Sequence, residues 1–439
     1  MINDVCLAIV YDKDNRYSAN ALIAAVESRN PGLHVARIPL YKSFDVIQQI
    51  IDLNKYCKRV IVGFSFMTPQ ILVVRELVRL VKLYAPNSLL VAGGPHASGD
   101  PLGTLTKLGF DVVVYGEGED TINDIIKSYS DSGEYRVCGT AYLDGDKVYI
   151  RRRTKPVDLD SYPPFPYWRG AVNPIEIMRG CSSACFFCQV TYTFGRPRYR
   201  SVETVVKYAR ISIEKGLRDL RFIAPNSLGY GSPDGVKPNH EMLYSLLSKL
   251  HTMASENGGR IFFGTFPSEI RPDSVDTESA DMLRRFADNR RVIIGAQSGS
   301  NKVLKMIHRG HSIEDVENAI NILSEEGFAI DVDLIFGFPF EDENDFEETL
   351  AFMKRMEDKN VRYHLHTFIP LPGTPFSDLE AKPLSPEKKA LLAKFIGRGK
   401  AYGYWMEQER ISAMIRWLKQ NRVIYSLNDN LKRSKISVC

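Results

Sequence analysis

The chain has 439 residues, 44% of them hydrophobic and 25% charged, and so suits two or three globular domains. Lysine and arginine outnumber aspartate and glutamate by only 57 to 53, an excess too small to indicate a nucleic-acid partner. The N-terminus shows no signal-peptide pattern, and no run of about 20 apolar residues occurs. We therefore expect a cytoplasmic protein without a membrane span.

Residues 1–137 alternate short apolar segments with amphipathic ones. The predicted strands are VCLAIVYD, HVARIPL, KRVIVGFSF, SLLVAGG and FDVVVYG. Five strands separated by helices predict an α/β domain with a doubly wound, Rossmann-like parallel sheet. Ligands of such sheets bind outside the carboxyl ends of the strands, so the loops at those ends are the ones to inspect.

The pattern changes after residue 137. Residues 138–170 predict a hairpin followed by a linker that carries four prolines in TKPVDLDSYPPFPYW. Residues 171–378 contain six strand–helix units, which predict a partial, TIM-like (β/α)6 barrel that is open because two units are missing. Residues 379–439 predict a small helical extension with a frayed, polar end.

Seven cysteines, an odd number in an intracellular chain, predict no disulfide framework. Cys6 and Cys57 are expected in the core, and Cys439 as a loose terminal thiol. Only three cysteines cluster in sequence, within RGCSSACFFCQ: Cys181, Cys185 and Cys188.

Three thiolates hold three corners of a metal site. A structural zinc ion has four protein ligands, and an iron–sulfur cubane is usually held by four thiolates. A cubane on three thiolates leaves one iron open for chemistry. The alternative is a zinc site completed by a distant histidine, for which the candidates are His240, His251, His308, His311, His364 and His366.

The cysteine segment resembles the cluster loop of radical S-adenosylmethionine (SAM) enzymes, including an aromatic residue, Phe187, before the third cysteine. The resemblance implies a [4Fe–4S] cluster on the three cysteines whose open iron binds SAM. Reductive cleavage of SAM would then yield a 5′-deoxyadenosyl radical, with electrons from a donor such as ferredoxin or flavodoxin.

Two later segments, IIGAQSGSNKVLKMIHRGHS and VDLIFGFPFED, resemble those of methylthiotransferases and oxygen-independent coproporphyrinogen oxidases. This similarity implies a SAM pocket lined by Gln297, Ser298, Arg309 and Asp333. The second strand departs from the family, because RFIAPNSLGYGS replaces a Gly-Gly-Glu-Pro-like stretch. Its role would fall to Asn226, to Ser227 or to backbone carbonyls. In the third strand, Gly264 stands where some relatives carry a glutamate.

The first domain resembles the cobalamin-binding domain found ahead of many radical SAM barrels, through SFMT, VAGGPHASGDP and YGEGE. That resemblance implies a cobalamin site along these loops, formed by Ser65, Thr68, Gly93, Gly94, Glu117 and Gly118. His96 is either a contact of the nucleotide tail or an ordinary loop histidine. The loop DKDNRYS lacks the Asp-x-His-x-x-Gly pattern that supplies a cobalt ligand in many relatives.

The leading hypothesis is a cobalamin-dependent radical SAM methylase that acts on an unactivated carbon. The alternatives are a rearrangement or oxidation with a degenerate cobalamin domain, and methylthiolation. Methylthiotransferases hold a second cluster through three N-terminal cysteines, whereas Cys6, Cys57 and Cys138 lie far apart in this sequence. Tyr230, His364 and His366 are candidates for handling a radical or a proton, and the substrate is not readable.

Overall fold

The computed structural model describes residues 3–40 and 43–439. The chain divides into two compact units. The first comprises Met1–Asn173, Leu371–Asp378 and Ile415–Cys439, and the second comprises Pro174–Pro370 and Leu379–Met414. No helix of the described residues has the length and apolar character that a membrane crossing requires.

The first 173 residues alternate strands and helices as predicted. Their strands are β1 Asn3–Tyr11, β2 His34–Pro39, β3 Cys57–Ser65, β4 Leu89–Gly93, β5 Val112–Val114, β6 Thr140–Asp144 and β7 Lys147–Arg152. Their helices are α1 Arg16–Arg29, α2 Ser43–Tyr56, α3 Ile71–Tyr84, α4 Pro95–Gly99, α5 Pro101–Thr106 and α6 Glu119–Ser132.

The alternation resumes at residue 175. The strands of this part are β8 Ile175–Glu176, β9 Met178–Arg179, β10 Arg198–Tyr199, β11 Asp219–Ile223, β12 Arg260–Phe262, β13 Arg291–Gln297, β14 Ala329–Phe336, β15 Val361–Thr367 and β16 Ala401–Tyr402. Its helices are α7 Val190–Phe194, α8 Val202–Glu214, α9 His240–Glu256, α10 Thr277–Phe286, α11 Asn301–Met306, α12 Ile313–Glu325, α13 Glu343–Arg355, α14 Pro386–Gly397 and α15 Trp405–Gln420. The chain ends with α16 Leu427–Lys432 and β17 Ser434–Val438.

The first unit is built on one eight-stranded sheet, in the order β17-β7-β6-β5-β4-β3-β1-β2. The five neighbouring strands β2, β1, β3, β4 and β5 are parallel, as the predicted doubly wound sheet requires. Strand β6 is antiparallel to both of its neighbours. One side of this sheet forms a core with α1 and α6, in which Leu7, Ile61 and Ile125 are buried. The carboxyl ends of β1, β3, β4 and β5 therefore share one edge of the sheet.

The predicted hairpin after residue 137 is present as β6–β7, whereas the prediction for the C-terminus is wrong. The hairpin extends the first sheet, because β6 pairs with β5 through Val113 and Ala141. The last residues are not frayed, since β17 adds to β7 in parallel. A buried carboxylate holds this return: Asp100 accepts hydrogen bonds from the Asn430 side chain at 2.8 Å and the Tyr425 backbone at 3.1 Å.

The prediction of no disulfides is also wrong. Cys6 on β1 is bonded to Cys57 on the neighbouring β3, and Cys138 is bonded to Cys439 across 301 residues of sequence. Cys439 is therefore not a loose thiol. The free cysteines of the described chain are the three of the sequence cluster.

The second unit holds the predicted partial barrel. Its parallel strands follow one another in chain order, as β8-β11-β12 and as β13-β14-β15-β16. The two groups are joined beside β12, where Ile270 pairs in parallel with Ile294. Among the described residues β8 and β16 do not pair with each other, so the barrel is open.

Candidate functional site

The three free cysteines lie on a loop whose two ends are held together. The strands on either side of it, β9 and β10, pair antiparallel through Arg179 and Arg198. At the start of the loop the Cys181 amide donates to the Gly195 carbonyl at 3.0 Å. Gly180 has a φ of 84°, and a Cβ there would lie 2.3 Å from the Arg196 carbonyl oxygen. Glycine is therefore required where the loop begins.

The three sulfur atoms do not form the compact group that a single tetrahedral ion requires. In a tetrahedral zinc site with Zn–S bonds of about 2.3 Å, the sulfurs lie about 3.8 Å apart. Among the described residues, the three thiols do not form a group whose ligand atoms all come within 4.8 Å of one another. Burial above all raises the pKa of the Cys188 thiol to about 12, so binding of iron must displace its proton.

The histidines considered as a fourth zinc ligand have other partners. His308, the one nearest to the loop, stacks on Phe186 with ring centroids 4.9 Å apart and lies 3.1 Å from the Ser183 carbonyl oxygen. His311 is buried with Nε2 3.1 Å from the Ala296 carbonyl oxygen. The geometry of the described residues therefore favours three thiolates over a zinc site completed by histidine.

Arg309 is a cationic group in contact with the cysteine loop. Its side chain is buried, and it donates from Nη1 to Cys185 Sγ at 3.6 Å and from Nη2 to the Gly295 carbonyl at 2.6 Å. Burial opposes its charge, but Cys185 and Glu269 raise the pKa of Arg309. Its Nε atom is buried and has no hydrogen-bond partner among the described residues. Arg309 thus keeps a donor beside the cluster loop.

Glu269 was missed by the sequence analysis. Its carboxylate lies 3.4 Å from Arg309, and burial raises its pKa although Arg309 opposes the rise. It follows β12 by seven residues, five positions after the Gly264 at which a family glutamate was sought. Because Glu269 stands after the position at which the family glutamate was expected, a comparison position by position did not find it.

Gln297 and Ser298 follow one another where β13 ends. Gln297 is 6% exposed and has a φ of 78°, and the register with β14 shifts between Gly295 and Gln297. Side chains with a Cβ rarely adopt this left-handed conformation, and strain of this kind is common at ligand sites. Ser298 accepts a hydrogen bond from the Ser300 amide at 3.1 Å. The expectation that both residues line a SAM pocket stays a prediction.

Two predicted residues of the second unit have structural contacts. Asn226 is buried and donates to the Gly235 carbonyl at 3.0 Å and to Ser274 at 2.7 Å, while its carbonyl accepts from the Arg271 amide. Both amide hydrogens are thus used within the fold, and a role toward SAM stays a prediction. Phe187 packs against Phe338 with ring centroids 6.1 Å apart.

Tyr230, a sequence candidate for radical handling, is fully buried. Its hydroxyl donates to the Arg200 carbonyl at 2.6 Å.

Asp333 faces His364 and His366 across β14 and β15. Although burial opposes it, these two rings lower the pKa of Asp333.

In the first unit the predicted residues come together at the carboxyl edge of the sheet. They lie at the ends of β3, β4 and β5: Ser65, Thr68, Gly93, Gly94, His96, Glu117 and Gly118. Glu117 accepts a hydrogen bond from the Val157 amide at 2.9 Å, and a Cβ on Gly118 would lie 2.7 Å from Leu22. A Cβ on Gly94, whose φ is 92°, would lie 2.8 Å from the Phe66 carbonyl oxygen. These contacts fix the loops around the edge.

His96 is the group at this edge that the fold leaves incomplete. It is fully buried, and Nδ1 lies 3.0 Å from the Thr68 hydroxyl. Its Nε2 atom has no hydrogen-bond partner among the described residues, and burial lowers the pKa of the ring to about 3. A neutral imidazole with one unused polar atom fits a site whose ligand completes it.

Comparison with known proteins finds both kinds of domain. Residues 175–353 match the Radical SAM superfamily, and residues 16–126 match the B12 binding domain. The chain is therefore a radical SAM enzyme that carries a cobalamin-binding domain ahead of its barrel. Its cofactors are a [4Fe–4S] cluster, SAM and cobalamin, and the three free thiols, the Arg309 donor and His96 provide groups that fit them.

Three known proteins show the similarity. One is the solved structure of the radical SAM methyltransferase TsrM from Kitasatospora setae, with cobalamin and [4Fe–4S] cluster bound. The match spans 85% of this chain and 74% of the TsrM chain, with a TM-score of 0.68 at 16% identity. The cobalamin-dependent radical SAM enzyme OxsB covers 98% and 63%, with a TM-score of 0.67 at 18% identity. In sequence, the threonylcarbamoyladenosine tRNA methylthiotransferase MtaB of Aquifex aeolicus is 23% identical over 82% of this chain and 83% of its own.

Proposed function

We propose that this enzyme transfers a methyl group to an unactivated carbon in a cobalamin-dependent reaction. The observation that carries the proposal is the pairing of two incomplete sites in one chain. Three free thiols stand beside a buried arginine in the barrel, and a buried imidazole has an unused atom at the edge of the first sheet. The cluster with SAM supplies one-electron chemistry, and cobalamin supplies a transferable methyl group.

The protein's own groups bind and orient these cofactors. Arg309 offers its unpartnered Nε to an anionic group beside Cys185, and its position is held by the Gly295 carbonyl and Glu269. A guanidinium suits a carboxylate such as that of SAM. His96 offers Nε2, and its ring is held by Thr68 and by Phe66, whose ring centroid lies 5.3 Å away.

The sequence similarity to methylthiotransferases is the reason to consider methylthiolation. The cysteine arrangement speaks against it. The N-terminal cysteines that could hold a second cluster, Cys6, Cys57 and Cys138, are all in disulfides: Cys6 is bonded to Cys57, and Cys138 to Cys439. A rearrangement or oxidation without methyl transfer is the other alternative. Cytoplasmic location and an electron donor such as ferredoxin or flavodoxin remain parts of this proposal.

The test is an anaerobic incubation of the reconstituted enzyme with SAM that carries a deuterated methyl group, a reductant and an extract of small molecules and RNA. We expect a product heavier by one deuterated methyl group that is absent when cobalamin is omitted. A product that gains sulfur as well would establish methylthiolation. 5′-Deoxyadenosine without any labelled product would favour the rearrangement or oxidation.

A further inference from the structure

Three polar side chains converge on the inner strands of the barrel. Asp333 on β14 lies directly opposite His364 on β15, and His366 lies two residues further on the same face of β15. Asp333 Oδ1 is 2.9 Å from His364 Nδ1, which is 3.0 Å from His366 Nε2, and that atom is 3.7 Å from Asp333 Oδ1. The side chains are 15–29% exposed, so a ligand can reach them.

This spacing is also that of a two-histidine, one-carboxylate metal site. Three ligand atoms on one face of an octahedral ion, each about 2.1 Å from the metal, lie about 3.0 Å apart. The triad of Asp333, His364 and His366 therefore has the distances of such a site. Whether the triad can hold a metal depends on which nitrogen of His366 carries the hydrogen.

Gln408 on α15 determines the tautomer of His366. The Thr367 backbone amide can only donate, and it lies 2.8 Å from Gln408 Oε1. The amide nitrogen of Gln408 therefore faces His366 Nδ1, at 3.1 Å, and donates to it. In a neutral ring the hydrogen of His366 is then on Nε2. To bind a metal through Nε2, His366 needs a lone pair on that atom and a hydrogen-bond acceptor beside Nδ1. With Gln408 in place, Nε2 carries the hydrogen and Nδ1 faces a donor.

The two contacts of His364 Nδ1 compete for one atom. If the Nε2–H of His366 donates to His364 Nδ1, that nitrogen faces Asp333 Oδ1 at 2.9 Å with no hydrogen between them. If the hydrogen of His364 is on Nδ1, it donates to Asp333, and the Nε2–H of His366 must turn to the same carboxylate oxygen, 3.7 Å away. A proton taken up by His364 selects the second arrangement, because the charged ring carries a hydrogen on both nitrogens.

We propose that the triad is the acid–base group of the barrel and takes one proton from the substrate. The substrate gives up a proton from a group beside the reacting carbon, His364 holds this proton as an imidazolium whose Nδ1–H donates to Asp333 Oδ1, and the proton returns to the product after the methyl group has been transferred. This role rests on the proposed methyl transfer, whereas the protonation state of the triad does not. The substrates it fits are those with a dissociable C–H, N–H or O–H hydrogen beside the carbon that is methylated.

The charged groups next to the triad are paired with one another. Tyr402 on β16 stacks on His364 with ring centroids 4.6 Å apart, and its hydroxyl lies 3.2 Å from Asp331. Asp331 pairs with both Arg291 at 2.8 Å and Arg362 at 3.0 Å, so the described structure engages these two arginines away from Asp333.

Asp333 forms no ion pair with an arginine or lysine among the described residues, and its partners are the two histidines. The charged group that acts on it from the neighbouring segment is Glu269, whose electrostatic interaction with Asp333 helps to raise the pKa of Glu269. Two carboxylates near two histidines favour a bound proton.

The first experiment measures zinc in the reconstituted, full-length enzyme after incubation with Zn²⁺ and desalting. Gln408→Glu provides an acceptor for both the Thr367 amide and a His366 Nδ1–H, so we expect this variant to gain one zinc per chain. His366→Ala combined with Gln408→Glu should lose it. The wild type should hold no more zinc than His366→Ala does. Wild-type zinc that is lost in His366→Ala would overturn the proposal in favour of a metal site.

The second experiment records ¹⁵N spectra of histidine-labelled, reconstituted enzyme, with His240→Gln as a surface control. We expect His366 to be the Nε2–H tautomer, and Asp333→Asn to weaken proton uptake by His364. The Nδ1–H tautomer in His366 would contradict the account. Both readouts are independent of methyl transfer, so they can hold even if the proposed function fails.

The third measurement tests the catalytic role itself. During turnover, His364→Gln should lower the amount of labelled product formed per 5′-deoxyadenosine by about 100-fold. An unchanged product yield would refute the role of the triad in the reaction. Loss of 5′-deoxyadenosine in the same variant would instead place His364 in SAM binding.

Discussion

At the scale of single residues, Gln297 shows a conformation that its side chain disfavours. Its φ of 78° lies in the left-handed region, which costs a residue with a Cβ roughly 1–2 kcal/mol. The fold holds this conformation at the end of β13, where the register with β14 shifts. Such strain is expected to persist where the side chain is needed.

We therefore predict that Gln297→Gly unfolds with a higher free energy than Gln297→Ala. Both variants lose the side chain, but glycine adopts a positive φ without strain, and its greater freedom in the unfolded chain offsets part of the gain. The expected difference is about 0.5–1 kcal/mol, measured by urea unfolding. Equal stabilities, or a more stable alanine variant, would show that the left-handed backbone is not strained.

Arg309 carries the second residue-scale prediction. Arg309→Lys keeps the charge but loses the planar fork, so we expect SAM affinity to fall by a factor of 10–100, in line with about 1.5–3 kcal/mol for hydrogen bonds to a charged group. Iron content should not change, because the three cysteines remain. Anaerobic binding measurements check this, with Arg291→Lys as the control. Wild-type affinity in Arg309→Lys would remove Arg309 from the SAM site.

Single residues also show what the sequence could predict. The cluster loop could be predicted from the spacing of Cys181, Cys185 and Cys188, because the three thiols fall within eight positions of the sequence. Glu269 was not found because the segment after β12 shifts it along the sequence. Gln408 could not be found at all, since its effect on His366 depends on a contact between residues 42 positions apart.

At the scale of elements, the return of the C-terminus to the first sheet depends on Asp100. Asp100 accepts from the Gly103 amide and Asn430 through Oδ1 and from the Tyr425 amide through Oδ2. We predict that Asp100→Asn costs about 1–3 kcal/mol in the free energy of unfolding, because an amide hydrogen would meet a donor.

The measurement for Asp100→Asn is chemical unfolding together with hydrogen exchange of residues 421–439. Exchange there should accelerate more than in β1 to β5. Asp378→Asn is the matched control, since that carboxylate accepts from the Leu427 amide at an exposed position. Wild-type exchange in Asp100→Asn would mean that other contacts hold the C-terminus.

The disulfide of Cys439 gives a second prediction at this scale. It closes a loop of 301 residues, so Cys439→Ser should cost about 2–4 kcal/mol in the oxidised protein. The difference should vanish after treatment with dithiothreitol. A thermal melt of both forms checks this, and a difference that survives reduction would show that the effect is not due to the bond.

Elements of the first sheet and of the barrel were predictable because each strand is a short apolar run next to an amphipathic helix. The strand β17 was not predictable, because RSKISVC is polar and exposed in part, and its pairing with β7 joins residues 286 positions apart. Local patterns carry no information about such a partner.

At the scale of the whole molecule, the account combines two cofactor sites within one chain. The first unit provides an edge with a buried, incomplete imidazole, and the second provides three free thiols and a buried arginine. Each site was predictable from a family resemblance, while the acid–base triad follows only from the hydrogen bonds of β14, β15 and α15. The reaction depends on both cofactors being bound by the same molecule.

The most direct test of this central claim counts cobalt and iron in the same preparation. The chain is reconstituted anaerobically with iron, sulfide, SAM and hydroxocobalamin, and is then desalted. We expect one cobalt and four irons per chain, and a variant with Cys181, Cys185 and Cys188 all changed to alanine should lose the iron and keep the cobalt. Four irons without cobalt would contradict the account and leave a radical SAM enzyme whose first domain no longer binds cobalamin.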